Sequence, residues 1–498
     1  MFAVDPIPTA VFGAVLLAFV GLGEGLRLAG VRPEHTRRIV HAGVGLATAV
    51  CPPFFAHPGG IYALAALFVV VNVVAIRRRL FLGMHGIARA SWGTVAFPVA
   101  LLAGLWLCWT LDPSRIYALQ TAFLVLAVSD PLASIVGQGV ARPGPYRVNG
   151  QTKSVAGSAA FAASAAGLIA VGVAAWGPEA WGVRELAACA VTGAALATAA
   201  EALGTRGWDN LLLALAVMVA LTLVHERPGE TARTLAAAAT AIAFGLMAWR
   251  VGFLDLSGTL AASMLAWAVV SVGGAAWAVP AFTFFFASSL LSRVGRRRKA
   301  AAEARAAKGS RRDAGQVLAN GGVAAALLVA TLFAGADALA ALYWGFVGAF
   351  AAAAADTWAT EIGTLVGGRT RDVLRWRPVA PGVSGGVSLG GTLGGALGAA
   401  VVFASAVPFA GAFLTAPGPL AAAALVVGGA VAASALDSLL GATLQARYRD
   451  ADGALTERAV RDGAPLPLAR GVPWVDNDRV NLACTLAGAA VPLVALLA

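Results

Sequence analysis

Charge is scarce in this chain, and lysine is nearly missing. Charged residues make up 12% of the 498 positions, too few to coat a soluble fold of this length. Lys153, Lys299 and Lys308 are the three lysines among 36 basic residues, so arginine is the default and a lysine stands out as a chemical choice. The four cysteines, Cys51, Cys108, Cys189 and Cys484, lie far apart with no C-x-x-C. That spacing excludes a disulfide framework and a cysteine zinc site, and buried reduced thiols are expected. The sequence has no G-x-x-x-x-G-K-[ST], no H-E-x-x-H and no protein-kinase signature, which removes the familiar soluble nucleotide and metalloprotease sites. No polar stretch is long enough to form a separate soluble domain.

What remains is apolar. Hydrophobic residues account for 59% of the chain, and they fall into about sixteen runs of spanning length, from near 9–29 to near 480–497. An all-α polytopic membrane protein is the fold class this predicts. The first run lacks a basic leader and contains Glu24, so it reads as a span and not as a cleaved signal. With the N-terminus outside, basic residues collect on one side: Arg37 and Arg38, Arg77 to Arg79, Arg142 and Arg147, Arg296 to Lys299, Arg311 and Arg312, Arg369 to Arg377, and Arg447 to Arg479. The other side keeps only Arg115, Arg184, Arg227 and Arg233. This asymmetry predicts both termini outside and a basic cytoplasmic face, in a bacterial inner membrane. The net charge of +11 then orients helices, meets anionic headgroups and attracts a phosphate-rich substrate; nucleic acid is not the expected partner.

One pattern occurs twice: Asp130-x-x-Ala133-x-x-x-Gly137 and Asp356-x-x-Ala359-x-x-x-Gly363, each beside a spanning run. A carboxylate at mid-bilayer costs about 2.5 to 3.5 kcal/mol on insertion scales, so two of them predict two polar sites facing protein or water. On one helical face, the Ala and Gly would leave room for a polar ligand, and the face reads as built for metal and phosphates. Numbering the runs sharpens the repeat. Asp130 falls in the fifth and Asp356 in the thirteenth; Glu201 ends the seventh and Asp437 lies in the fifteenth; Asp209-Asn210 opens the eighth, and Asp476-Asn477 with Asn481 opens the sixteenth. An offset of eight predicts two parallel repeats, 1–230 and 231–498, with both sites facing the cytoplasm.

The loops between runs carry further signals. Lys153, Ser154 and Gly157 stand where a helix is expected to start, a place where N–H groups and an ammonium converge on an anion. The matching segment of the second half is Ser384-Gly385-Gly386-Val387-Ser388, preceded by the arginines of 369–377. Plain readings stand beside these. Gly386, Gly390, Gly394 and Gly398 read as helix packing or as a phosphate cradle. The basic run Arg296 to Lys299 and the Ala-rich stretch after it read as a surface helix on headgroups. His57, His85 and His225 read as interfacial, and any single intramembrane acid could be the partner of a helix-bound arginine.

The ordered motifs resemble known families. Arg37 to Gly43, SDPLASIVGQ at 129–138, TKSVAGS at 152–158, and Glu201 followed by Asp209-Asn210 are similar to the CTP-dependent polyprenol kinases, the group that holds phytol kinase and dolichol kinase and is related to phosphatidate cytidylyltransferases. Where dolichol kinases carry a glycine, a lysine and an acid, this chain has Ala141, Thr152 and Ala156, which favours a shorter isoprenoid. From Gly252 onward, GSRRDAGQVLANGG, ADTWATEIG, GVSGGVSLGG, LDSLLGATLQ and WVDNDRVN resemble the integral-membrane family that includes plant phytyl-phosphate kinase.

The resemblance implies a fused kinase that takes a lipid-dissolved prenol, of roughly fifteen to twenty carbons within the hydrocarbon core, to its monophosphate and then its diphosphate, with CTP as donor and Mg²⁺ as metal. In the first half it implies Asp130 for metal, Lys153 with Ser154, Gly137 and Gly157 for nucleotide phosphate, and Glu201, Asp209 and Asn210 for metal or base roles, with His41 a second base candidate. In the second half it implies Asp356, Glu361 and Asp437 for metal and Asp476, Asn477 and Asn481 to complete the shell. Gly363, Ser384, Gly385, Gly386 and Ser388 would cradle nucleotide, and Arg312 or Arg377 would meet phosphate. A cytidylyltransferase releasing pyrophosphate, and a transporter with no chemistry, are the alternatives.

Overall fold

The structure, a computed structural model, describes residues 3–78, 80–81, 91–295, 311–415, 417–450, 452–461 and 464–498. The basic run Arg296 to Lys299, the Ala-rich stretch to 310, His85 and Lys308 lie outside the described residues. The fold is all-α and polytopic: thirteen described helices are long and apolar enough to cross a membrane. The sixteen runs differ from this count for physical reasons. Pro33–Val50 is a helix, but it carries Glu34, Arg37 and Arg38 on its first turns. Ala275–Leu291 and Ala314–Ala330 are apolar helices of 17 residues each, rising about 25 Å where the hydrocarbon core is about 30 Å thick.

The chain folds as two compact units, Met1–Ala238 and Ala239–Ala498, and the division falls inside the helix Thr231–Val251. Each unit is built around one buried helix that carries the repeated aspartate. In the first unit this is Ile116–Gly139, and Pro33–Val50, Val155–Trp176 and Asp209–Glu226 pack on it. Close approach at Gly45, where a methyl would lie 2.6 Å from the Ala127 Cβ, seats His41 next to Asp130. In the second unit the central helix is Leu339–Val366, whose stretch from Ala341 to Ala355 is buried throughout. Its small side chains let neighbours come close. A methyl on Gly348 would lie 2.4 Å from the Gly488 carbonyl oxygen, and this draws in Asn477–Leu497, which begins with the predicted amides.

The connection after each aspartate helix is a short antiparallel ladder, which the all-α expectation did not include. Pro145–Val148 pairs with Gln151–Ser154, and Tyr146 stands opposite Lys153. The two-residue turn is Asn149-Gly150, both with positive φ (48° and 72°), the Asn-Gly combination that a tight hairpin favours. In the second unit Arg371–Asp372 pairs with Gly386–Val387. Each ladder hands over to a helix capped by serine. Ser154 Oγ accepts from the Gly157 N–H at 3.1 Å, and Ser388 Oγ accepts from the Gly391 N–H at 3.1 Å. The helices therefore start at Val155 and Leu389, and Lys153 and Ser384 lie before them, on a strand and in a turn.

Candidate functional site: one polar centre in each unit

The Ala and Gly of the repeated pattern make a contact. A methyl on Gly157 would lie 2.9 Å from the Ala133 carbonyl oxygen, and one on Gly391 would lie 2.9 Å from that of Ala359. Gly137 meets Ser154 Oγ and Gly363 meets Ser388 Oγ in the same way. The next helix start thus packs on these positions in both units, and in the second unit Ala359 and Gly363 also border a cavity beside Asp356. Matching the two caps also aligns Lys153 with Val387, so the second unit has an apolar side chain where the first has its lysine. The glycine repeat divides accordingly. Gly394 and Gly398 pack on Ile362 and Trp358, while Gly386 precedes the helix.

In the first unit Lys153 Nζ forms an ion pair with Glu201 Oε1 and also donates to the Glu201 carbonyl oxygen at 3.0 Å. The hairpin sets this up, because Asn149 Nδ2 donates to the Leu203 carbonyl oxygen at 3.0 Å and pins the turn to the end of the Glu201 helix. Asp130 and Asp209 lie close enough for their charges to act on Glu201. His41 Nε2 is 3.8 Å from Asp130 Oδ2 and 3.0 Å from the Leu126 carbonyl oxygen. Asn210 is buried and donates to the Gly93 carbonyl oxygen at 3.0 Å, a positioning contact. Beside this cluster is a cavity of about 100 Å³ with an apolar body that includes Phe12, Leu16, Leu64, Phe68, Phe97 and Leu101. Arg37, His41 and Asn210 also line it.

The second unit holds a larger cavity, about 420 Å³, and it is polar. Arg312, Asp356, Glu361, Gly363, Ser384, Gly385, Gly386, Ser388, Asp437, Asn477 and Asn481 all line it. Asp437 lies against Asp356, and its Oδ2 is buried with no hydrogen-bond partner among the described residues. Gly385 has φ +81° and a methyl there would lie 2.6 Å from the Ala442 Cβ, so a side chain is excluded twice over. Arg312 is fixed through its backbone: its N–H donates to the Phe253 carbonyl oxygen at 3.0 Å, and its carbonyl accepts from the Asp255 N–H at 3.1 Å. Burial lowers the Arg312 pKa from its ordinary value and the nearby Glu361 charge raises it. A guanidinium keeps its proton under such conditions, so a positive charge stands at this wall.

Two predicted residues lie elsewhere. Asp476 caps the Asn477–Leu497 helix, its Oδ1 accepting from the Arg479 N–H at 3.0 Å and its Oδ2 pairing with Arg479 Nη1 at 2.7 Å. Its carboxylate is spent on the helix start and is absent from the cavity wall. Arg377 is exposed in a tight turn organised by Asp372, whose Oδ1 accepts from the Arg375 and Leu374 N–H groups. Of the two candidate arginines, Arg312 is the one at the cavity. A residue not read from the sequence joins the site: Glu457 lines the cavity, accepts from Ser384 Oγ at 2.7 Å and lies 3.8 Å from the buried Arg447. Only the strand pairing of Arg447–Arg449 with Leu455–Thr456 brings it there.

The donors in the second cavity fit a hard divalent cation. Two adjacent carboxylates repel unless a proton or a metal lies between them, one oxygen is orphaned, and Asn477 and Asn481 add amide oxygens, an all-oxygen set of the kind Mg²⁺ takes. Asp112, His225 and Glu226 also approach one another within 4.8 Å, but Arg115 bridges them, 2.8 Å from Glu226 and 3.4 Å from Asp112. That group is an ion-pair brace.

A multi-pass helical membrane protein with a polar, carboxylate-lined cavity is what the fold and this site define. Residues 239–489, just over half of the chain, match the family described as Integral membrane protein DUF92, and the chain belongs to that family. It is also 28% identical over 258 residues to Protein PGR of Arabidopsis thaliana, an alignment covering 47% of this chain and 85% of that protein. No solved structure matches it.

Proposed function

We propose that this chain is a two-site isoprenoid kinase: the first unit phosphorylates a membrane-dissolved prenol such as farnesol, geranylgeraniol or phytol, and the second phosphorylates the resulting monophosphate, with CTP as donor and both sites open to the cytoplasm. The observation that carries the reading is the second unit's cavity. Its size suits a nucleotide-scale ligand, and it combines paired carboxylates, amide oxygens, a held arginine and the Gly385-Gly386 backbone in one space.

In each reaction an oxygen of the lipid attacks the γ-phosphorus, the bond to the β-phosphate oxygen breaks, and CDP leaves. Such transfer depends chiefly on positioning and charge neutralisation. Mg²⁺, when bound, would neutralise phosphate charge; Asp356, Asp437, Asn477 and Asn481 would hold it in the second unit and Asp130 in the first. A prenol must lose its hydroxyl proton. His41, at the rim of the apolar cavity and beside Asp130, is placed to take it. A prenyl monophosphate attacks through an oxygen that is already ionised and needs no base, which accords with a second cavity lined by no histidine among the described residues. Lys153, held by Glu201, is placed to turn toward nucleotide phosphate, and Arg312 serves the second unit.

The test supplies radiolabelled prenols with CTP and Mg²⁺ to the full chain in proteoliposomes and follows label into mono- and diphosphate. Label confined to the alcohol, with CDP-lipid formed from phosphatidate, would make the protein a cytidylyltransferase. Uptake of prenol or its phosphate with no bond formed would make it a transporter.

A further inference from the structure

A second, smaller cavity in the Ala239–Ala498 unit adjoins the polar one. It measures about 40 Å³, and its walls include Phe244, Leu265, Phe282, Phe285 and Phe350. Arg312, Gln316 and Asn320 line both cavities. Four residues apart, the three fall on one side of the helix Ala314–Ala330 and its cap, so a single polar stripe separates an aromatic chamber from a carboxylate-lined one.

We infer that the aromatic chamber seats the isoprene units next to the head of a prenyl monophosphate, with Arg312 at its rim receiving the phosphate. The inference rests on the kinase reading for its substrate class and adds where that substrate lies. Three features select a hydrocarbon over a nucleobase. Around Phe244 the rings are engaged edge-on, with Phe282 at 5.1 Å and Phe285 at 4.9 Å, and the tilted pair Phe284 and Phe350 has its centroids 5.4 Å apart, too close to admit a base between them. Beyond the stripe the walls carry no polar side chain among the described residues, so a base would bury its ring nitrogens and oxygens unpaired. The guanidinium carbon of Arg312 stands 5.9 Å from the centre of the Phe284 ring, which places a fixed cation where an apolar tail ends and an anionic head begins. The chamber is short, and the rest of the tail extends into lipid.

The experiment uses the full chain in nanodiscs and a geranylgeranyl monophosphate carrying a diazirine on its head-proximal isoprene unit, with no nucleotide present. Irradiation should label the peptides that contain Phe244, Leu265 and Phe285, and excess unmodified prenyl monophosphate should remove the label. Arg312→Gln should cut labelling at least about fivefold by removing a charge-assisted phosphate contact, with Arg312→Lys keeping part of it. Gly321→Ala, whose methyl would lie 2.7 Å from Leu265 Cδ2, should narrow the chamber and weaken labelling while Arg312 stays in place; melting temperatures check that both variants are folded. Label spread over lipid-facing helices and untouched by competitor overturns the inference, as does label removed by CTP alone. Specific label in the chamber without γ-phosphate transfer from any nucleotide supports the seat and refutes the kinase.

Discussion

The two units start from the same parts and settle their buried charge in opposite ways. In the first, Glu201 is met by Lys153, brought across by a hairpin. In the second, the aligned position is Val387, and Asp437 instead faces another acid, Asp356. The first unit meets its buried acid with a lysine from within the chain; the second sets two buried acids against each other on the wall of a polar cavity. The two units therefore share the contact between an aspartate helix and a serine-capped helix, and differ in the electrostatics around it.

The comparison breaks if the two centres act as one. Asp130→Asn should slow phosphorylation of a prenol by about a thousandfold and leave conversion of supplied monophosphate nearly intact, while Asp356→Asn should do the reverse and let monophosphate accumulate. The measurement is product analysis with each substrate given separately. Loss of both steps in either folded variant would replace two sites by one composite site.

Neutralising the matched acids should have effects of opposite sign. Glu201→Gln leaves the half-buried Lys153 ammonium without its counter-charge, and breaking a pair of which one partner is buried should cost about 2 kcal/mol. The melting temperature in detergent should fall, and Lys153→Met added to Glu201→Gln should restore part of the loss. Asp437→Asn removes a repulsion, so without divalent cation it should raise stability by about 1 kcal/mol. Added Mg²⁺ should stabilise the parent chain by mass action, and Asp437→Asn should lose most of that gain. A fall in stability for Asp437→Asn without metal would mean that the carboxylate pair already shares a proton in a stabilising bond.

Much of this was legible in the sequence because hydropathy and charge act locally. The scarcity of charge and the apolar runs announced a helical membrane protein, and the Asp/Ala/Gly spacing marked the central helix of each unit. What was not legible depends on pairing across distance. Lys153 and Glu201 each stood out, but their contact spans 48 residues and depends on the register set by Asn149-Gly150. Glu457 lies in a loop with no apolar pattern to flag it and reaches the cavity through a strand. The apolar cavity beside His41 and the Phe244 chamber escaped for a different reason: a phenylalanine facing a cavity and one facing lipid look the same to hydropathy.

The smallest expected effect concerns the contact the units share. A methyl on Gly137 would lie 2.6 Å from Ser154 Oγ, a separation no side chain tolerates, whereas one on Gly363 would lie 3.2 Å from both Ser388 Oγ and the Gly391 Cα. Gly137→Ala must push the Ser154 hydroxyl off the Gly157 N–H, which removes a helix cap worth about 1 kcal/mol and disturbs the strand that carries Lys153. Gly363→Ala asks for a shift of a few tenths of an ångström at a helix start that already borders open space, and should cost only a fraction of that. Chemical denaturation of the two variants measures the difference, and prenol phosphorylation should fall with the first while monophosphate conversion changes little with the second. Equal costs would mean that the first unit relaxes around its cap as readily as the second, so the tighter packing there would not be what holds Lys153 against Glu201.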